Sequence, residues 1–228
     1  MPIIRFVPAR PIHPPGLLVA IEGIDGAGTT AAANLLARWV ERRGRRVHVV
    51  PWAASRVVRR AAADGRAGQV LTPRVAALLV AAEAVRATSD AVRSPIENGD
   101  VVIADRYAWT AVAREIARGL DPAWIAGLYE PLTPPAVVVL CRERPARAVE
   151  WSIVGRLGPE RADAVTPAFS AFVGRVATAY DDLSAGRAGG PWPVRSIVLD
   201  VGGSLEAGLA PARDAIRAAL DAGGGRAA

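Results

Sequence analysis

The sequence GIDGAGTT, residues 23–30, is the feature that most restricts the fold of this chain. It follows the apolar run LLVAIEG, which is typical of a strand buried inside a parallel sheet. A helical pattern begins directly after it, so the glycines lie where a strand turns into a helix. The spacing matches the phosphate loop G-x-x-x-x-G-K-[ST], with Gly23, Gly28 and Thr30 in place. In such a loop the backbone N–H groups wrap around a phosphate at the N-terminus of the helix.

The loop predicts a binding site for ATP together with Mg²⁺. We expect the Thr30 hydroxyl to contact the metal, as the last residue of the motif does. The alternative is a plain glycine-rich turn between a strand and a helix, with no ligand. The residues assigned to the nucleotide are the whole loop: Gly23, Ile24, Asp25, Gly26, Ala27, Gly28, Thr29 and Thr30.

Thr29 stands where the motif has lysine. All 28 basic residues are arginines, so no lysine elsewhere in the chain replaces it. The missing lysine normally neutralises charge that develops on the phosphates. Losing one such contact commonly costs a factor of about 10² to 10³ in rate. We expect the Thr29 side chain to face the phosphates rather than the core, and an arginine to supply the missing charge.

Strands alternate with helices along the rest of the chain, which is typical of a parallel sheet with helices on both faces. The fold class is therefore α/β, a three-layer phosphate-loop fold with a five-stranded parallel sheet. Strands are predicted at 17–23, 47–50, 101–105, 136–140 and 196–201, and helices at 29–43, 53–63, 72–92, 109–118, 122–129, 144–154, 167–184 and 205–220. Residues 1–16 read as an extended arm and 17–228 as one domain, with a lid at 142–165.

Composition narrows the class of protein further. Hydrophobic residues make up 51% of the chain, but no apolar run reaches the ~18 to 20 residues that span a bilayer. The proline-broken start lacks a signal-peptide core, so we expect a cytoplasmic protein without membrane contact. The net charge of +6 comes from dispersed arginines, and aromatic residues are only 5%, so a nucleic-acid partner is not expected. Nucleotides are the expected ligands, and a homodimer stays open.

Three segments resemble the thymidylate kinase family. IEGIDGAGTT is similar to the family opening EGxDGxGKTT, and ENGDVVIADRY is similar to its G-x-x-V-x-x-DRY segment. The run after it, YAWTAVAREIARGLD, is similar to a branch with the pattern DRY-x-x-T-x-x-AR-x-x-x-RG-x-D. The resemblance covers residues 17 to about 140. It implies phosphoryl transfer from ATP–Mg²⁺ to dTMP or a related nucleoside monophosphate.

The resemblance also implies roles for individual residues. Asp105 ends a strand at the edge where ligands of open α/β sheets bind, and it would help to hold Mg²⁺. Arg106 would clamp the phosphate of the acceptor, and Asp25 would contact its sugar. Tyr107 is either a substrate contact or a packing residue. A lid arginine would replace the lysine, with Arg156 assigned as catalytic among Arg142, Arg144, Arg147, Arg156 and Arg161.

Several positions that read the base in the family differ here. The helix position of the stacking Phe carries Val80, and the Asp-Arg pair after it aligns with Glu83 and Ala84. The polar base-reading residue falls at Ala111, and the aromatic that senses the sugar at Arg114. The acceptor pocket is therefore expected to be rebuilt, with Arg86, Arg114 and Arg118 as its candidate arginines. The alternative function is a nucleotide-binding protein of the same fold that has lost turnover.

Overall fold

Five parallel strands form one sheet in the order β2-β3-β1-β4-β5. A computed structural model describes residues 16–52, 60, 72–157, 166–201 and 205–224, and all structural statements concern these residues. The strands are β1 (Leu17–Gly23), β2 (Val47–Pro51), β3 (Val101–Asp105), β4 (Val137–Arg142) and β5 (Ser196–Asp200). The predicted parallel α/β sheet is thereby confirmed.

The central strands are buried because helices cover both faces of the sheet. Every residue of β1 is buried, and in β3 and β4 only the last residue of each is not. The register pairs Ile21 of β1 with Asp105 of β3 and with Val139 of β4. The carboxyl ends of these three strands therefore meet at one edge of the sheet. Ligands of open α/β sheets bind at this edge.

The helices form the outer two layers. They are α1 (Thr29–Glu41), α2 (Pro73–Thr88), α3 (Ser94–Glu97), α4 (Ala108–Ala117), α5 (Pro122–Tyr129), α6 (Pro145–Leu157), α7 (Pro167–Ser184), α8 (Leu205–Gly208) and α9 (Ala210–Gly224). α1 and α9 pack on one face of the sheet, while α4 and α7 pack on the other and against each other. No helix in the described ranges is long and apolar enough to cross a membrane.

Most predicted helices are found, with three differences. The helix predicted at 72–92 continues further along the chain than predicted. A π-helical turn, Ser89–Arg93, follows α2 and links it to α3. The final helix is broken at Leu209 into α8 and α9, between Gly208 and Pro211, which are both poor helix formers. α6 extends to Leu157, beyond the predicted helix end at residue 154. The predicted helix 53–63 and residues 1–15 of the arm lie outside the described part of the chain.

Buried strand valines are expected to carry much of the stability of the sheet. Val139 is 0% exposed in the centre of β4, whereas Val49 on the edge strand β2 is 41% exposed. Val139→Ala is expected to lower the free energy of unfolding by about 2 kcal/mol, because a fully buried valine contributes about 1.5–3 kcal/mol. Val49→Ala, the matched control, is expected to cost at most about 1 kcal/mol. Urea denaturation of both variants checks this, and equal losses would contradict it.

Candidate active site

The phosphate loop lies at the carboxyl end of β1 and packs closely against helix α6, which falls in the segment predicted as a lid. At Gly26 the backbone φ is +88°, and a Cβ there would lie 2.0 Å from the carbonyl oxygen of Ala148. Only glycine fits this close approach, because a side chain would collide with helix backbone. α6 therefore forms one wall of the loop.

Asp25 is the loop residue that connects to the rest of the site. Its Oδ1 lies 3.0 Å from Nη2 of Arg106 and 2.9 Å from Nη2 of Arg114. Arg106 directly follows β3, and Arg114 lies on α4. One carboxylate thus joins the loop, the end of β3 and a helix of the opposite layer.

Arg106 also supports the loop backbone. Its guanidinium donates hydrogen bonds to the carbonyl oxygens of Gly23 and Ile24. Its backbone φ is +72°, and among the described residues Arg106 is the only one other than glycine with a positive φ. Such a conformation costs on the order of 1–3 kcal/mol and persists where the surroundings fix it. Here the N–H of Arg106 donates to the Ile21 carbonyl at 2.8 Å, which helps to hold that turn.

Thr30 and Asp105, the two residues predicted to bind Mg²⁺, lie side by side. The Thr30 hydroxyl donates to Oδ2 of Asp105 at 2.6 Å. Oδ1 of Asp105 is buried and has no hydrogen-bond partner among the described residues. Within the same ranges no group of three or more His, Cys, Asp or Glu side chains forms a metal cluster. A hydroxyl beside one carboxylate suits Mg²⁺, which takes few protein ligands and completes its shell with phosphates and water.

Thr29 does not lie open to the phosphates as predicted. Its side chain is buried, with 4% of the residue exposed. The Thr29 methyl lies 3.2 Å from the point where a Cβ on Gly23 would be. The loop closes over this short side chain, which is why the open position predicted for Thr29 is not found.

Glu22 is a buried carboxylate directly below the loop, and it is not among the residues predicted for the site. It is 1% exposed. Oε1 accepts from the backbone N–H of Tyr107, and Oε2 accepts from the hydroxyls of Thr110 and Tyr180. Burial raises the pKa of Glu22 to about 7. The signal in the sequence was one acidic residue in an apolar strand, which requires buried partners.

A cavity of about 550 Å³ opens beside the loop, between α2, α4 and the end of β2. It brings together the positions at which this chain departs from the residues that read the base and sugar in the family pattern. Arg86 is not part of the wall, because its guanidinium pairs with Glu83 at 2.7 Å. Among the lining residues are Trp52, Val80, Glu83, Ala84, Arg106, Tyr107, Thr110, Ala111, Arg114, Glu115 and Arg118.

Tyr107 lines this cavity and is also a packing residue. It is 2% exposed, and its hydroxyl donates to the Thr133 carbonyl at 3.0 Å. Its ring stacks on Trp192 and meets Trp52 edge-on, with centroids 6.0 and 6.2 Å apart. These contacts account for Tyr107 without a ligand, so its role in substrate binding stays a prediction.

The arginines of the predicted lid differ in what they contact. Arg142, at the end of β4, pairs with Asp181 of α7 at 2.8 Å, and Arg147 pairs with Glu143 at 3.6 Å. Arg144 lines two other cavities and not the one beside the loop. Arg156 lies on α6, but its side chain and the whole of Arg161 are outside the described structure. The replacement of the lysine by Arg156 therefore remains a prediction.

The fold and this site define a phosphate-loop α/β protein with an arginine-bearing cavity beside the loop. A family model for thymidylate kinase matches residues 21–152, more than half of the chain. The chain therefore belongs to the thymidylate kinase family.

Individual relatives agree with this family. The chain is 37% identical over 134 residues to a probable thymidylate kinase of Thermococcus gammatolerans, covering 55% of this chain and 64% of that protein. It is 33% identical over 135 residues to probable thymidylate kinase 2 of Saccharolobus solfataricus, covering 59% and 63%. A thymidylate kinase of Bifidobacterium longum subsp. infantis is 35% identical over 121 residues, covering 50% and 52%. The matches thus span less than two thirds of these relatives.

The buried Glu22 predicts a pH-dependent stability. Its pKa is about 7 in the folded chain and 4.5 when solvated, so between these values the unfolded chain loses the proton first. As pH rises from about 4.5 to 7, the free energy of unfolding is therefore expected to fall by about 3 kcal/mol in total. Glu22→Gln keeps the shape and cannot titrate. The free energy of unfolding of the wild type relative to Glu22→Gln is expected to fall between pH 5 and 8. A difference that is constant over this range would contradict the assignment.

Proposed function

We propose that the protein is a nucleoside monophosphate kinase, which transfers a phosphoryl group from ATP–Mg²⁺ to dTMP or a related acceptor. The observation that carries this proposal is the Thr30–Asp105 pair beside an arginine-bearing cavity, with a buried carboxylate oxygen that has no hydrogen-bond partner among the described residues. A metal-binding pair and an acceptor-sized cavity at one loop are what phosphoryl transfer between two nucleotides requires.

On the donor side, the loop backbone holds the phosphates of ATP. The first N–H groups of α1 have no partner within the helix, and they point towards the loop. Thr30 and Asp105 would hold Mg²⁺, which in this chemistry neutralises charge on the β- and γ-phosphates. Glu22 fixes the backbone N–H of Tyr107, and so positions the turn that carries Asp105 and Arg106.

On the acceptor side, Arg106 and Arg114 take the phosphate of the nucleoside monophosphate. The two guanidiniums converge on Asp25, so the group carries a net charge of +1 from two arginines and one carboxylate. Guanidiniums bind phosphates through paired, charge-assisted hydrogen bonds. An incoming phosphate thus replaces part of the Asp25 contacts and lies next to the donor loop. Asp25 then remains to contact the sugar.

One observation favours a second candidate, a nucleotide-binding protein without turnover. Thr29 is uncharged and its short side chain is enclosed by the loop, so position 29 supplies no positive charge to the phosphates. An arginine of the lid, Arg156, is the proposed replacement, and the kinase hypothesis depends on such a group. The homodimer and the cytoplasmic location also remain predictions.

An assay of ADP release tests the proposed function directly. With ATP–Mg²⁺ supplied, each deoxy- and ribonucleoside monophosphate is offered in turn, and turnover with dTMP or a close relative is expected. No turnover with any of them, although ATP binds, would favour the second candidate.

Arg106→Ala is expected to raise the KM for the acceptor at least about tenfold, because a charge-assisted contact contributes about 1.5–3 kcal/mol. ATP binding is expected to weaken as well, since the same guanidinium holds the loop carbonyls of Gly23 and Ile24. Arg38→Ala, which removes an exposed arginine at the far end of α1, is the control and should change neither. Steady-state kinetics with both substrates varied measures the two effects. An unchanged acceptor KM would refute the role of Arg106.

Thr29→Lys separates a missing charge from a rebuilt site. Because position 29 is buried, the longer side chain is expected to cost about 1–3 kcal/mol of stability without nucleotide. If only the charge is missing, turnover rises by about 10². Thr29→Met adds similar length without charge, and should share the stability loss but not the gain in rate. A gain in both variants, or a loss of rate with lysine, would contradict the view that position 29 lacks only a cation.

A further inference from the structure

Glu115 is a buried carboxylate in the wall of the acceptor cavity. It is 4% exposed, and its Oε1 accepts from Nη1 of Arg118 at 2.5 Å. Its second oxygen, Oε2, is buried and has no hydrogen-bond partner among the described residues. A buried carboxylate oxygen without a donor is costly, so this atom calls for a partner that the described residues do not supply.

Glu83, the other carboxylate of the same cavity, provides a contrast. Both of its oxygens accept from Arg86, at 3.0 and 2.7 Å. Glu83 thus has a donor for each oxygen, whereas Glu115 has a donor for one. Of these two cavity carboxylates, Glu115 is the one with an oxygen left to accept a hydrogen bond.

The position of Glu115 on α4 fits contact with a base rather than with a phosphate. Arg114 precedes it and reaches Asp25 at the phosphate loop, while Arg118 follows one helical turn further along. Apolar side chains, including Val80 and Ala111, line the same cavity and offer surface for the faces of an aromatic ring. The wall therefore combines a donor, an acceptor and apolar surface, which a planar heterocycle requires.

We propose that Glu115 determines the specificity for the acceptor base: Oε2 accepts the ring N–H of an imide base such as thymine or uracil, and Arg118 donates to the neighbouring carbonyl. This rests on the proposed kinase function and names the residues that replace the base readers missing at Val80 and Ala111. An imide presents one N–H beside a carbonyl. It therefore matches one free carboxylate oxygen next to a guanidinium, whereas guanine presents two adjacent donors and would leave one without an acceptor.

The Tyr129 hydroxyl offers a competing explanation for why Oε2 of Glu115 is buried, because this hydroxyl could be its partner. It too is buried without a hydrogen-bond partner in the described residues. The charge of Glu115 contributes to the raised pKa of Tyr129, so the two groups are near each other. If Glu115 serves only to balance this hydroxyl, its removal should act like Tyr129→Phe and have no effect on the choice of base.

Calorimetric titration with dTMP and with N3-methyl-dTMP, which lacks the ring N–H, tests the proposal without relying on turnover. The wild type is expected to bind dTMP about 10- to 100-fold more tightly, as expected for a hydrogen bond to a charged group. Glu115→Ala is expected to bind both ligands with nearly equal, weak affinity. Tyr129→Phe and the exposed Glu41→Ala are the controls and should keep the wild-type preference.

The possible results separate the two levels of the proposal. Equal binding of both ligands by the wild type overturns the role of Glu115 and leaves the kinase function standing. The same conclusion follows if Glu115→Ala, or the conservative Glu115→Gln should alanine prevent folding, retains the full preference for dTMP. If the folded wild type binds no nucleoside monophosphate at millimolar concentration, the proposed function fails and the role of Glu115 fails with it.

Discussion

The shared ion pair at Asp25 is the interaction on which the arrangement of the site depends. A phosphate loop is a flexible, glycine-rich segment, and here its only acidic residue is held by arginines from two other elements. Arg106 fixes the loop to the end of β3, and Arg114 fixes it to α4 in the opposite layer. Because Arg106 also donates to the Gly23 carbonyl and lines the neighbouring cavity, one guanidinium contacts both the loop backbone and the cavity. Donor and acceptor phosphates would therefore meet at a place that these two guanidiniums define.

Much of the fold was predictable because local and global signals agree. The runs LLVAIEG and VVIAD are apolar throughout, and a parallel sheet buried on both faces is what such runs form. The helix Pro167–Ser184 was predicted with its observed bounds, since Thr166 caps it and Pro167 opens it. The break at Leu209 is a local feature that the predicted single helix missed, because Gly208 and Pro211 on either side of it are poor helix formers.

Motifs in the sequence indicated which residues lie together at the candidate site, whereas contacts from distant segments were harder to foresee; the roles of these residues stay predictions. Thr30 and Asp105 were assigned to one metal from their motifs, and the structure places them 2.6 Å apart. Thr29 was misjudged, because its burial is set by how the loop closes at Gly23. Glu115 was passed over between Arg114 and Arg118, since helix periodicity does not reveal which charges lack a partner. Which charged side chain lacks a hydrogen-bond partner is visible only in the folded structure, where the opposite wall of the cavity is known.

The central claim is that this loop binds a nucleotide through its backbone and the Thr30–Asp105 pair, without a lysine. Calorimetric titration of the folded protein with ATP, in the presence and absence of Mg²⁺, measures this most directly. ATP is expected to bind under both conditions, and Mg²⁺ is expected to tighten binding in the wild type but not in Asp105→Asn. No binding of ATP at millimolar concentration, or the same effect of Mg²⁺ in both proteins, would contradict the account.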